Sequence, residues 1–133
     1  MQDIAIHIYE YLPIKDIYSL TLVNSSFNKA FKNSNLWKLL LERDYVWKYE
    51  DIMKENYYAI YRLCIKLDCV KVSLKLNYNI GELFNKKGLT LSNNQLSSLP
   101  VEIGQLINLQ KLYLCNNQLI EQAKKLLPNN YIY

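Results

Sequence analysis

The chain reads as an α+β protein: helices through its first half, then a short segment built on a recurring strand. Three observations carry this. Apolar residues recur at three- and four-residue steps from Ile4 to about residue 68. From Val70 to Leu76 the apolar period drops to two. Further on, Leu89-Thr90-Leu91-Ser92-Asn93-Asn94-Gln95-Leu96 returns 23 residues later as Leu112-Tyr113-Leu114-Cys115-Asn116-Asn117-Gln118-Leu119. Self-similarity at a fixed period means stacked units. Stacked units offer a binding surface rather than a catalytic pocket.

Ile4, Ile8, Tyr11 and Leu12 share one face of a first helix, and Pro13 stops it. Asp16 is placed to cap a second helix, whose stripe is Ile17, Leu20 and Val23. Asn24-Ser25-Ser26 starts a third, with Phe27, Ala30 and Phe31 at helical spacing. Asn33-Ser34-Asn35 breaks the chain again, and Leu36, Trp37, Leu39, Leu40 and Leu41 open a fourth helix ending near Asp44. Helices of about ten residues are unstable alone and bury their stripes against one another or against a partner. The surplus of large apolar side chains here points to an interface.

Met53, Tyr57, Ile60, Tyr61, Cys64 and Leu67 mark a longer helix over 51–68, with its tyrosines read as packing. The alternation Val70, Val72, Leu74, Leu76 reads as a strand, and Asn79-Ile80-Gly81 as a turn. Leu74 to Asn79 resembles a degenerate leading repeat. Leu119–Leu127 reads as a helix, Pro128-Asn129-Asn130 as a turn and Tyr131-Ile132-Tyr133 as a last strand. Ile132 is expected at the Leu91/Leu114 position. That aligns Thr90, Tyr113 and Tyr131 in one exposed row and Ser92, Cys115 and Tyr133 in another. Asn94 and Asn117 are both expected to turn inward and satisfy backbone groups.

The net charge of +4 is spread as scattered lysines in the middle of the chain. Nucleic-acid binders concentrate it in a denser stripe. No apolar run approaches the roughly 20 residues that a membrane span needs, and Met1-Gln2-Asp3-Ile4 lacks the basic start of a signal peptide. These features predict a soluble protein of the cytoplasm or nucleus, with neither nucleic acid nor membrane as partner. Cys64, Cys69 and Cys115 show no metal spacing and are read as reduced thiols, two of them packed as small hydrophobes. There is no glycine-rich phosphate loop, and nothing places His7 beside a cysteine as a catalytic pair. No catalytic residue, metal or cofactor is expected.

Asp3-Ile4, Ile8, Tyr11-Leu12-Pro13, Asp16-Ile17, Leu20, Val23, Phe27 and Leu36-Trp37 follow, in order and spacing, the pattern of an F-box, which residues 3–44 resemble. Arg43-Asp44-Tyr45 looks like its usual ending, and Glu55-Asn56-Tyr57 with Ile60-Tyr61-Arg62 like the helix that often follows. The family's leading Leu-Pro, which adds contact with the adaptor there, has no match ahead of Asp3. Residues 88–133 resemble leucine-rich repeats: Leu89, Leu91, Asn94, Leu96, Leu99-Pro100, Ile103, Leu106 and Leu109 fit one unit.

The resemblance implies an N-terminal F-box helical bundle (1–45), a linker helix and first strand (46–73) and a short leucine-rich-repeat, α/β-solenoid segment (74–133). So short an array is expected to pack on the linker helix. The implied function is that of a substrate-recruiting subunit of an SCF-type ubiquitin ligase. Ile4, Ile8, Leu12, Pro13, Ile17, Leu20, Val23 and Trp37 would bind a Skp-family adaptor, or support the residues that do, and through it a cullin–RING ligase. Thr90, Ser92, Tyr113, Cys115, Tyr131 and Tyr133 would hold a protein target. The alternatives are a repeat-based interaction module without a ligase link, and a decoy that occupies the adaptor and recruits nothing.

Overall fold

A computed structural model describes residue 8 and residues 11–22, 25–45 and 56–133. The first helix expected from the sequence, over Ile4–Leu12, falls largely outside the described residues, as do Ile4, His7, Val23, Asn24 and Met53. The chain divides into two compact units, Met1–Tyr61 and Arg62–Tyr133. Helices in the first and a small three-stranded sheet in the second make the protein α+β.

In the first unit, α1 (Ile14–Thr21) begins at Pro13, whose φ of −58° suits the position and whose missing N–H leaves no orphan donor there. Asp16 was the expected cap, but it sits inside the first turn and no side chain caps this helix. Its carboxylate there still favours the positive end of the helix dipole. After α2 (Ser25–Phe31), α3 (Ser34–Asp44) starts as its sequence dictates: the Asn33 side chain accepts from the Asn35 N–H at 2.8 Å. The α3 stripe Leu36, Trp37, Leu40 and Leu41 is buried with Ile17, Ala30, Ile60 and Tyr61. Aromatic rings fill the space between: Phe31 meets Trp37 edge-on at 4.8 Å, and Tyr58 lies 4.7 Å from Trp37. The Trp37 indole N–H donates to the Phe31 carbonyl at 2.8 Å, which satisfies the one polar atom of a side chain only 2% exposed.

α4 runs from Tyr57 to Ser73, past the predicted helix end, and it replaces the strand expected at 70–76. Val70 and Leu74 are buried one helical turn apart, with Cys64 and Leu67 on the same stripe, while Val72 is 72% exposed. A real strand would bury every second residue. The helix closes with Lys75 in the left-handed region (φ 52°), its N–H bonded to the Val72 carbonyl and that of Leu76 to the Lys71 carbonyl. The turn expected at Asn79–Gly81 is instead the start of α5 (Ile80–Phe84). Asn79 accepts from the Glu82 N–H at 2.8 Å, and the Glu82 carboxylate accepts from the Asn79 N–H at 3.0 Å.

The sheet follows: β1 (Gly88–Thr90), a 3-10 helix (Val101–Gln105), β2 (Lys111–Tyr113), α6 (Ile120–Leu126) and β3 (Tyr131–Ile132). The strands are parallel in the order β1-β2-β3. Leu89 pairs with Leu112, the 23-residue repeat seen as register. β3 departs from expectation: Ile132 pairs with Leu112, not with the Leu91/Leu114 position. The second crossover, through α6, takes 20 residues from Lys111 to Tyr131, so the last strand sits two residues further along than the sequence spacing suggested. An even shift leaves each side chain on its original face. Leu89, Leu91, Leu99, Ile103, Leu106, Leu112, Leu114 and Ala123 form the core beneath.

Side-chain amides tie later turns of the second unit to backbone groups 21 to 26 positions earlier. Asn108 donates to the Phe84 carbonyl at 3.0 Å, and Asn130 to that of Leu109. Gln122 both accepts from the Leu99 N–H (3.0 Å) and donates to the Leu99 carbonyl (3.2 Å). Asn117, 8% exposed, accepts from the Leu96 N–H at 3.0 Å and donates to the Leu91 carbonyl at 2.9 Å. Asn94 does not repeat this and stays exposed, contrary to expectation. The residues that stand 23 positions before Leu91 and Leu96 are Asp68 and Ser73, both in α4, so no coil precedes Asn94 to receive its amide.

Candidate functional site

Two surfaces carry the residues the sequence singled out. On the first unit, Ile8 is 39% exposed, Pro13 is exposed, and Leu12 and Leu20 are half-buried. Ile17 and Trp37 are sealed in the core at 0% and 2% exposure, so they support this surface rather than form it. Ile4 and Val23 lie outside the described residues. The structure adds Tyr11 (76% exposed) and Leu22 (87%) as large apolar side chains open to solvent. Both stood in or beside the helical stripes, and the apolar surplus of these helices was the signal that some of them must remain unburied.

A polar latch holds the segment that leads into this surface. The Arg43 Nη1 donates to the Leu12 carbonyl at 3.0 Å. The same guanidinium grips Asp44 through Nε at 2.5 Å and Nη2 at 2.7 Å, and the Tyr61 hydroxyl donates to the second Asp44 oxygen. Burial pushes the Asp44 carboxyl up, but the hydrogen bonds from Arg43 and Tyr61 outweigh it and hold the group below the ordinary carboxylate value. Its hydrogen bonds to Asp44 raise the Arg43 guanidinium still further. Burial, then the Asp44 hydrogen bond, pushes the Tyr61 phenol far up.

On the second unit, pairing of Lys111 with Tyr131 sets the exposed rows. Tyr133 follows Ile132 and so falls beside Tyr113, in the row that holds Thr90. The expected partner of Tyr113 was Tyr131, which instead aligns with Lys111 and Gly88. The expected row of Ser92, Cys115 and Tyr133 is likewise broken, because Tyr133 has moved into the Thr90 row. The Tyr113 and Tyr133 rings stack at 5.0 Å with 16° between their planes. Tyr131 is 66% exposed and Tyr133 49%. The Asn93 and Asn116 turns beside the sheet match, at φ 61° and 62°, and the Asn116 amide donates to the Asn93 side chain.

Of the cysteines, only Cys64 is buried; Cys69 and Cys115 are exposed, one fewer packed thiol than expected. Burial pushes the Cys64 thiol up to about 12. No group of three or more His, Cys, Asp or Glu side chains is gathered as a metal site among the described residues. Nor, among those residues, is any helix long and apolar enough to cross a membrane.

A family model for the F-box domain matches residues 2–39. The N-terminal helices therefore carry an F-box domain, of which the described part is α1, α2 and the start of α3. No curated protein and no solved structure matches the chain.

Proposed function

We propose that this chain is a substrate-recruiting subunit of an SCF-type ubiquitin ligase. The single observation that carries the reading is the F-box domain at residues 2–39. F-box domains bind a Skp-family adaptor, which connects to a cullin and a RING protein. Ile8, Tyr11, Leu12 and Leu22 supply apolar area for that contact, and the Arg43–Leu12 bond fixes the chain leading into it.

Residues 74–133 act in this reading as a short leucine-rich-repeat segment that holds a protein target. The 23-residue register of Leu89 and Leu112 supports it. Tyr113, Tyr133 and Tyr131 are the anchors, since exposed aromatics are the side chains that most often dominate interface energetics. The chain itself does no chemistry. It raises the effective concentration of the target beside the ubiquitin-charged enzyme. Neither nucleic acid nor membrane takes part.

Capture of the full chain by a purified Skp-family adaptor tests the docking half. Wild type is retained and Leu12→Asp, checked for folding by circular dichroism, is lost. Equal recovery of the two overturns the docking claim. The shortness of the strands, two or three residues each, favours one second reading: an adaptor-occupying decoy. Adaptor capture with no ubiquitinated co-purifying protein separates it from the first.

A further inference from the structure

A polar cavity of about 380 Å³ lies in the second unit between the end of α4 and the turn after β1, and none of the site residues named above lines it. Ser73, Lys75, Asn94, Leu96, Ser97 and Ser98 are among its lining residues. Its size falls within the range of ordinary ligand pockets. One side chain in it has an internal counterpart whose task is visible. Asn117 holds the turn of the preceding coil, taking the Leu96 N–H on Oδ1 and giving its Nδ2 to the Leu91 carbonyl. Asn94 is the same residue one repeat earlier. Its amide borders the cavity, and the positions that would have formed a preceding turn, Asp68 to Ser73, have their backbone groups committed to α4. The turn that supports it shares the left-handed asparagine, Asn93 at φ 61° against Asn116 at 62°.

The electrostatics add a second constraint. Lys75 is the one cation in the lining, which holds no acid. Its backbone is fixed by the helix-closing pair of bonds from Lys75 to Val72 and from Leu76 to Lys71. Such a site suits a ligand that offers a backbone N–H and C=O together with a negative charge.

We propose that this cavity binds a turn-forming segment of a partner protein that carries a carboxylate. The Asn94 amide reads its backbone as Asn117 reads the Leu91–Leu96 turn, and Lys75 pairs with its carboxylate. Charge complementarity with Lys75 selects acidic segments over neutral ones.

The probes are two fluorescein-labelled peptides. One copies residues 89–99, the stretch that Asn117 engages within the chain; the companion has aspartate in place of its first serine. Fluorescence anisotropy is read against the full chain. Both peptides are expected to saturate, the aspartate peptide several-fold tighter. Asn94→Ala weakens both by about tenfold, as loss of a paired amide implies. Lys75→Gln abolishes only the advantage of the aspartate peptide. Circular dichroism establishes that both variants fold. The proposal is overturned by an absence of saturable binding up to about 1 mM, the weakest affinity on the usual scale. It is equally overturned if Asn94→Ala binds as wild type does, or if Lys75→Gln leaves the preference intact.

Discussion

The Tyr61 hydroxyl donates to the carboxylate of Asp44, a residue 17 positions earlier whose two oxygens Arg43 also holds. The bond joins the N-terminal part of α4 to the end of α3. Tyr61→Phe removes the hydroxyl and keeps the ring, which lies 5.4 Å from Trp37 and 5.5 Å from Tyr45. A hydrogen bond to a charged group contributes about 1.5–3 kcal/mol, and the partial exposure of Asp44 places the loss at the lower end. Urea unfolding of wild type and variant measures it. The midpoint should fall with little change in slope.

The same carboxylate gives the first unit an acid limit. Asp44 titrates below its ordinary value when folded. A carboxyl depressed on folding adds stability above its unfolded value of about 3.9, and that contribution fades as pH falls through the folded value. Stability should therefore drop below about pH 4, and Asp44→Asn should flatten that part of the profile. Thermal unfolding across pH 2–7 reads it.

Asn117→Ala should cost about 1–3 kcal/mol, because it leaves the Leu96 N–H and the Leu91 carbonyl without their partner. Asn94→Ala, at the matching position, should change stability by no more than about 0.5 kcal/mol, as exposed substitutions usually do. Denaturant midpoints of the two variants test the asymmetry. Equal losses would contradict the account of the two turns given above.

Cys64 should resist alkylation in the native protein while Cys69 and Cys115 react, since thiolate is the reactive form and burial pushes Cys64 up to about 12. Mass spectrometry after iodoacetamide treatment should show two modified cysteines in the folded chain and three in urea. The raised thiol also sets an alkaline limit. The unfolded thiol ionises near 8.5, so the protonated folded form loses its advantage as pH climbs above that value.

Local chemistry made much of this legible in the residues. The break expected at Asn33-Ser34-Asn35 is where α3 begins, and the leucines of the 23-residue repeat came into register one above another. The failures share one cause: a short pattern fits two geometries until its neighbours decide. Val70 and Leu74 are spaced for one face of a strand and also for one turn of a helix; the exposure of Val72 decides for the helix. Asn94 carries the same letters as Asn117 but lacks a coil to bind. Tyr133 joins Tyr113 because the crossover through α6 is two residues longer than a pairing of Tyr113 with Tyr131 would need, and crossover length depends on packing that spacing does not express. Ile17 and Trp37 occupy pattern positions shared by core and interface, and only burial separates the two.

The amide ties between coils all point towards the N-terminus, from Asn117 to Leu91 and from Gln122 to Leu99. On a ribosome, where the chain emerges from its N-terminal end, the first turn of the sheet comes out before the amides that will hold it, and water takes their place. It stays open to exchange and to proteases until the residues near 120 have followed it out, and a stall before that point releases a half-finished edge.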